Sequence, residues 1–247
     1  MAAIVLLHAF PLDSRMWESQ VEALSRAGHE VWAPDLLAPG MADSFEGPPS
    51  IDAMARWVLA ESDRRGHHDF AVAGVSMGGY VAMGLLREAG HRVSGLALLD
   101  TKSGSDSDAA ARNREEFAAR VTSSGLEWVP EAMLDNLLGE TTRETRPAVV
   151  RHVTDWILQS DPVMLAWAQR AMAVRPDAGP ELDVFRQPSL VVVGTEDVIS
   201  PPEEAAAMSE ALGGAPLSMV SGAGHLANVE CPGRVSEMLV SWADRLG

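Results

Sequence analysis

Three residues of this sequence have the types and the order needed for nucleophilic catalysis. Ser76 lies in the segment GVSMGG, where Gly74 and Gly78 flank it in the pattern G-x-S-x-G. A serine hydroxyl is a weak nucleophile unless a base accepts its proton, and a carboxylate usually orients that base. His225, in SGAGHLANVE, is the predicted base, and Asp197, in VVVGTEDVISPP, is the predicted acid. Their chain order is nucleophile, acid, histidine, as is typical of this serine motif.

Other residues compete for the acid and base roles. Asp100 ends the segment LALLD and is the main alternative to Asp197 as the acid, whereas Glu196 comes one residue too early. The remaining histidines fit turn, surface or helix positions better than a catalytic one: His29, His67, His68, His91 and His152. The sequence therefore favours His225 as the base and leaves two carboxylates open as its partner.

A tetrahedral oxyanion needs two backbone N–H donors aimed at it. The residue after the nucleophile normally provides one, which predicts the N–H of Met77. The second is expected from the segment HAFPLDSRMW that follows the first apolar run, where Phe10 is the candidate because Pro11 has no N–H. The alternative is that His8 and Phe10 only pack at the end of a strand.

The elements that must position these residues follow from hydrophobic periodicity. Six short, nearly continuous apolar runs are typical of parallel strands covered on both faces: 2–8, 29–35, 69–75, 93–100, 188–196 and 215–222. Helical patterns alternate with them at 13–28, 50–66, 77–90, 202–213 and 231–247. This alternation predicts a doubly wound α/β fold with a parallel sheet. Because the predicted site residues follow different strands, they should meet at the carboxyl edge of that sheet.

One long interval interrupts the alternation. Residues 103–186 contain no convincing strand and about four helical patterns, including 127–138, 147–158 and 162–173. The polar segments 101–108 and 175–183 are interpreted as the connections at its two ends. The prediction is a core formed by 1–102 and 187–247 with a helical insertion at 103–186.

Composition limits the classes of function. The 247 residues carry a net charge of −16, which disfavours nucleic acid as a partner. No apolar run is long enough to cross a bilayer, and the single cysteine, Cys231, favours an inert thiol in a reducing cytoplasm. Neither a metal-ligand cluster nor the dinucleotide fingerprint G-x-G-x-x-G is evident, so we expect neither cofactor nor metal.

The chain resembles the α/β-hydrolase superfamily, particularly small bacterial esterases, 3-oxoadipate enol-lactonases and cofactor-free haloperoxidases. The matching segments are LLHAFPLDSRMW, APDLLAPG, GVSMGGYVA, VVVGTED and SGAGHLANVECP. The resemblance implies the same nucleophile, acid, base and oxyanion donors, and it makes 103–186 a helical cap. It also implies an N-terminal hairpin that this sequence lacks. Removing that hairpin predicts six parallel strands in the order 2-1-3-4-5-6, with one sheet edge left open to pairing.

A cap would cover the substrate pocket. Six apolar residues in the insertion are candidates for its lining, although their helical spacing also fits the cap's own core: Trp128, Met133, Trp156, Met164, Trp167 and Met172. Lys102 and Arg170 are considered as partners for a substrate carboxylate, with solvated surface positions as the alternative.

The function indicated is hydrolysis of an ester or lactone of modest size. Perhydrolysis, C–C bond hydrolysis and lyase chemistry by the same triad stay open. A binding protein on the same scaffold is the alternative from another class.

Overall fold

The computed structural model describes residues 2–246, and its sheet has the predicted topology. Six strands lie in the order β2-β1-β3-β4-β5-β6, and all five neighbouring pairs are parallel. They are β1 (Ala3–Leu7), β2 (Glu30–Trp32), β3 (Phe70–Val75), β4 (Val93–Leu99), β5 (Ser189–Gly194) and β6 (Leu217–Val220). The predicted fold class and strand order are therefore confirmed.

The strands are shorter than their apolar runs predict. In β1, β3 and β4 the ladder stops at Leu7, Val75 and Leu99, just before His8, Ser76 and Asp100. Ser76 and Asp100 adopt positive φ angles of 53° and 44°, which bend the chain away from the extended direction. The polar residues at the carboxyl edge thus belong to turns, whereas the apolar residues before them form the sheet.

Burial differs between the central and the edge strands. All residues of β3 and β5 are buried, and β1 and β4 are nearly so, because helices cover both faces there. The edge strand β2 has only three residues, none fully buried, and it begins at the exposed Glu30. A short edge strand with an exposed charge offers little template for pairing with another chain.

Twelve α-helices complete the part of the chain that the structure describes. Those of the α/β alternation are α1 (Glu18–Arg26), α2 (Ile51–Arg64), α3 (Met77–Ala89), α10 (Pro202–Ala211), α11 (Ala227–Glu230) and α12 (Pro232–Ala243). Between β4 and β5 lie α4 (Asp108–Ser124), α5 (Val129–Leu137), α6 (Glu140–Thr145), α7 (Pro147–Leu158), α8 (Pro162–Ala173) and α9 (Gly179–Val184). None of the helices within residues 2–246 is long and apolar enough to cross a membrane.

The interval between β4 and β5 differs from its prediction in two ways. It holds six helices rather than about four, because the one-and-a-half-turn helices α6 and α9 are too short to show periodicity. The segment 175–183, interpreted as a connection, contains the start of α9 at Gly179. Pro180, in the first turn of that helix, accounts for the misreading, since proline signals both turns and helix starts.

Candidate functional site

Ser76 occupies a tight turn between a buried strand and a helix. Its φ of 53° and ψ of −115° are strained for a residue with a side chain. The Ser76 N–H donates to the Leu99 carbonyl at 3.0 Å, and the Thr101 hydroxyl donates to the Ser76 carbonyl at 2.9 Å. These bonds secure both backbone polar groups of the serine, so the turn can hold a strained residue at the carboxyl edge.

The glycines of the motif allow this turn because backbone passes where a side chain would be. A Cβ atom on Gly78 would lie 2.0 Å from the Leu7 carbonyl oxygen, and one on Gly74 would lie 2.3 Å from the Gly78 carbonyl. Helix α3 therefore begins directly against β1 and β3. The spacing of the glycines around Ser76 therefore has a steric cause.

His225 connects the serine to a carboxylate. Its Nε2 lies 2.7 Å from the Ser76 Oγ, and its Nδ1 lies 3.0 and 2.9 Å from the two carboxylate oxygens of Asp197. An ionised carboxylate can only accept, so Nδ1 carries the proton and Nε2 is free to accept the hydroxyl proton. Only 1% of His225 and 8% of Ser76 is exposed, which keeps the pair out of bulk water.

Asp197 is held by its own backbone neighbours. Its Oδ1 accepts the N–H of Ile199 at 2.8 Å and that of Ser200 at 3.0 Å. Asp197 is 3% exposed and lies in the turn that follows β5. These two bonds orient the carboxylate toward the histidine ring.

The competing carboxylates have other partners. Asp100 accepts the N–H of Gly194 at 2.8 Å and the N–H of Ala227 at 3.0 Å, so it joins β5 to α11. Burial raises the pKa of Asp100 well above its ordinary value, and the nearby charge of Asp197 adds to the effect. The side chain of Glu196 instead accepts the N–H of Thr141 at 2.9 Å, at the start of α6.

Two backbone N–H groups beside Ser76 have no protein acceptor. Within residues 2–246, neither the Phe10 N–H nor the Met77 N–H donates to any backbone or side-chain group. The Leu12 N–H donates to the Ala9 carbonyl at 2.9 Å, which closes a turn around Phe10. The buried His8 ring contacts this turn and the segment after β2. Its Nε2 accepts the Leu36 N–H at 2.8 Å, and its Nδ1 lies 3.0 Å from the Ala9 carbonyl. The pKa of His8 is lowered chiefly by burial.

The loop that carries His225 is fixed by a glutamate that sequence reasoning missed. One carboxylate oxygen of Glu230 accepts the N–H groups of Gly224 and Leu226, which flank the histidine, at 2.8 and 3.3 Å. Its other oxygen accepts the Gly139 N–H at 2.9 Å, between α5 and α6. Glu230 therefore ties the histidine loop to the helices above it. It lies in the short helix α11, which periodicity did not predict.

A small cavity of about 90 Å³ opens beside Ser76 and His225. Of the six apolar residues considered as pocket lining, Met133 and Met172 line it. The rest of its wall consists of Phe10, Tyr80, Arg114, Leu137, Gln169 and Ile199. The site is thus mostly apolar, with a guanidinium and an amide among its polar groups.

The other four apolar candidates do not line this cavity and contact different partners. Trp167 packs its ring 4.7 Å from Phe45, and Trp128 lies 4.8 Å from Phe117. Trp156 stacks on His152, at 6.2 Å between ring centroids, and Met164 is buried within α8 with 1% exposed. Helical spacing marks the apolar side of a helix but does not distinguish its contacts with other helices from contacts with a ligand.

The basic residue at the cavity is also different from those considered. Arg170 points outward and pairs with Glu115 at 2.9 Å, with 44% of its side chain exposed, and Lys102 is not among the lining residues. Arg114 lines the cavity from α4 instead. Nothing in its sequence surroundings separates it from Arg112 or Arg120 on the same polar helix.

Across residues 2–246 the structure places no three His, Cys, Asp or Glu side chains together in an arrangement that could hold a metal ion.

Comparison with known proteins agrees with the fold. The sequence profile of the alpha/beta hydrolase fold matches residues 2–232. A structure of a thermophilic esterase from Thermogutta terrifontis, with malate bound, superimposes with a TM-score of 0.93 at 34% identity, covering 100% of this chain and 90% of that one. The enol-lactonase from Burkholderia xenovorans gives a TM-score of 0.86 at 25% identity over 98% of this chain and 91% of that one.

Among curated sequences, the pimeloyl-[acyl-carrier protein] methyl ester esterase of Nitrosomonas europaea is 27% identical over 98% of this chain and 94% of its own length. The family profile and these full-length similarities agree with the fold. The chain belongs to the α/β-hydrolase family.

Proposed function

We propose that this protein is a serine hydrolase that cleaves a carboxylic ester or lactone through an acyl-enzyme. The observation that carries the proposal is the continuous hydrogen-bonded chain from the Ser76 Oγ through His225 to the Asp197 carboxylate, with distances of 2.7 and 2.9 Å. A serine in a purely structural role needs neither a base nor an oriented carboxylate. This arrangement supplies both at the wall of a small, mostly apolar cavity.

Acylation begins with proton transfer. The Nε2 of His225 accepts the hydroxyl proton as the Ser76 oxygen attacks the carbonyl carbon, and the carbonyl electron pair moves onto oxygen. The free N–H groups of Phe10 and Met77 are the donors for that oxyanion. When the tetrahedral intermediate collapses, the C–O bond to the leaving alcohol breaks and His225 returns the proton to it. Asp197 stabilises the imidazolium that forms in between.

Deacylation repeats the sequence with water. His225 accepts a proton from a water molecule, whose oxygen attacks the acyl carbon of the Ser76 ester. Collapse of the second intermediate breaks the bond to the Ser76 oxygen, which regains its proton from the histidine. In a lactone, the leaving alcohol stays attached to the acyl group, so a single hydroxy acid is released.

The substrate class rests on the cavity and on the relatives. Its apolar walls and its small volume of about 90 Å³ suit a short acyl chain better than a long one. The similar proteins are described as an esterase, an enol-lactonase and a methyl ester esterase. We therefore place this protein with enzymes of small carboxylic esters, and its single cysteine, Cys231, fits a reducing cytoplasm.

The test is a screen of short-chain p-nitrophenyl esters and of lactones with the purified protein, with Ser76→Ala as the control. We expect turnover of at least one short ester, and loss of that activity in the control. Parallel assays with peroxide and with C–C bond substrates cover the other uses of the same triad. A protein that binds these compounds without turning any of them over would contradict the proposal and favour a binding role.

A further inference from the structure

The cavity beside the serine carries a positive charge in a protein that is strongly acidic. The net charge of the chain is −16, yet Arg114 lines the same cavity as Ser76 and His225. A partly buried guanidinium at an apolar cavity is costly unless an anion or hydrogen-bond acceptors compensate it. Its protein partners therefore show how much of that charge is left for a ligand.

Arg114 shares its only carboxylate partner among the described residues with a second arginine. The Asp106 carboxylate pairs with Arg114 through one oxygen and with Arg175 through the other, the latter at 2.7 Å. Burial alone would raise the pKa of Asp106, but hydrogen bonds and charge from the two arginines lower it below its ordinary value. Asp106 is thus ionised, and two guanidinium groups face one carboxylate. The cluster formed by Asp106, Arg114 and Arg175 therefore has a net charge of about +1.

The three members of this cluster differ in their access to the cavity. The side chains of Asp106 and Arg175 are 1% and 3% exposed, and the Arg175 guanidinium stacks 4.1 Å from the Tyr80 ring centroid. Arg114 is the most exposed member, at 21% of its side chain. The uncompensated charge is therefore accessible from the cavity through Arg114.

Arg114 also has hydrogen-bond donors to spare. Its Nε is bound to Asp106, and its Nη1 donates to the Gln169 Oε1 at 3.0 Å and to the Met172 Sδ at 3.4 Å. Within residues 2–246, its Nη2 donates to no group, nor does the Nε2 amide of Gln169. Both residues line the cavity. Asp106 and Gln169 thus hold the guanidinium in place, while its Nη2 and the Nε2 of Gln169 remain free to donate.

We propose that the acyl part of the substrate carries a carboxylate that Arg114 binds, so that the preferred ester is a half-ester of a short dicarboxylic acid. This inference rests on the proposed function, because it assumes that the ester carbonyl lies at Ser76. Arginine binds carboxylates through parallel N–H donors, and a pre-oriented guanidinium loses little conformational entropy in doing so. The ligand charge would neutralise the cluster, and Gln169 adds a second donor. Ester cleavage then releases a dicarboxylate and an alcohol.

The experiment compares matched ester pairs in wild type and in Arg114 variants. The anionic esters are the monomethyl esters of succinate, glutarate and adipate, and in each neutral counterpart a methyl group replaces the free carboxylate. Hydrolysis is followed by pH-stat. For at least one chain length, we expect wild type to favour the anionic ester in kcat/KM by about tenfold or more, as a charged hydrogen bond permits.

Variants of Arg114 test whether this residue causes the preference for the anionic ester. Arg114→Gln should reduce the anionic-to-neutral ratio by about 10- to 100-fold, and Arg114→Lys, which keeps the charge but loses the fork, should keep part of it. Arg170→Gln is the matched control from the neighbouring helix, since Arg170 points outward, and it should keep the full ratio. Asp106 stays paired with Arg175 in the Arg114 variants, so we expect them to fold, and thermal unfolding checks this.

A second measurement separates failure of this inference from failure of the proposed function. Calorimetry measures binding of free succinate, glutarate and adipate to wild type, Arg114→Gln and Ser76→Ala. Equal turnover of both esters at every chain length, with no effect of Arg114→Gln on the ratio, would overturn the carboxylate site while the hydrolase stands. Dicarboxylate binding that depends on Arg114, in a protein that hydrolyses none of the esters, would support the site while the hydrolase fails. A protein that neither hydrolyses the esters nor binds the acids contradicts both.

Discussion

The carboxyl edge of the sheet and the helices between β4 and β5 contribute to the same cavity in different ways. At the edge, Ser76, Asp197 and His225 each follow a different strand, and the structure joins them by hydrogen bonds of 2.7 to 3.0 Å. Among the helices, only Met133 and Met172 of the six apolar candidates line the cavity. The carboxyl ends of parallel strands lie at one edge of the sheet for any loop conformation. The direction of a side chain on a helix depends instead on how that helix packs.

Because the residues at the carboxyl edge carry the proposed chemistry, we expect substitutions of Ser76, Asp197 or His225 to lower turnover the most. Asp197→Asn should lower kcat by about 10³- to 10⁴-fold, because the histidine loses the charge that orients it and stabilises the imidazolium. Steady-state kinetics on the best ester from the screen measures this. Glu196→Gln is the matched control, since the adjacent side chain bonds Thr141, and it should keep most of the activity. An active Asp197→Asn alongside an inactive Asp100→Asn would reverse the assignment of the acid.

Substitutions at the junction of the two regions should have intermediate effects. Glu230→Gln places an amide where a carboxylate oxygen accepts a backbone N–H, so at least one of the bonds to Gly139, Gly224 or Leu226 is lost. We expect kcat to fall about tenfold with a smaller change in KM, because the histidine loop is displaced rather than the cavity. An unchanged kcat with lowered thermal stability would mean that Glu230 supports the fold only.

Substitutions at the edge but outside the triad should have the smallest effect on turnover. Asp100→Asn should keep kcat within about threefold of wild type, because Asp100 bonds Gly194 and Ala227 rather than His225. It should lower the free energy of unfolding by about 1–3 kcal/mol, since one buried N–H loses its acceptor. Urea unfolding and steady-state kinetics measure the two quantities.

The stability loss in Asp100→Asn should also depend on pH. Burial and the charge of Asp197 raise the pKa of Asp100 in the folded state, so the folded protein binds this proton more tightly than the unfolded chain. Its contribution to wild-type stability is full below the unfolded pKa of about 3.9 and is lost as pH rises through the folded pKa. Asparagine does not titrate, so the difference between the two proteins should narrow as pH rises. A widening difference would contradict this account of Asp100.

The sequence predicted the residues at the carboxyl edge of the sheet better than those on the helices between β4 and β5. Ser76 could be identified because its strain needs glycines at fixed positions, and those glycines are visible in the sequence. Asp197 was less certain, since Asp100 also ends a strand, and only side-chain geometry separates a residue that contacts His225 from one that bonds the backbone behind it. The roles assigned to these residues and to Phe10 and Met77 stay predictions until they are measured.

The residues that sequence reasoning missed lacked any local signal. Arg114 lies on the polar helix α4 among other arginines, and its importance comes from Asp106 and from the cavity, both of which depend on tertiary packing. Glu230 lies in a helix of four residues, too short for periodicity to detect. The division into a core and a cap at 103–186 likewise stays a prediction, although helices do fill that interval.

The central claim is that the Ser76 hydroxyl performs covalent chemistry, and labelling with a fluorophosphonate tests it most directly. The probe phosphonylates a serine only where a base activates the hydroxyl, and intact-protein mass spectrometry counts the adducts. We expect one adduct per chain, mapped by peptide analysis to Ser76, with esterase activity lost in proportion and no adduct in Ser76→Ala. Wild-type protein that remains unlabelled, or an adduct that persists in Ser76→Ala, would contradict the claim.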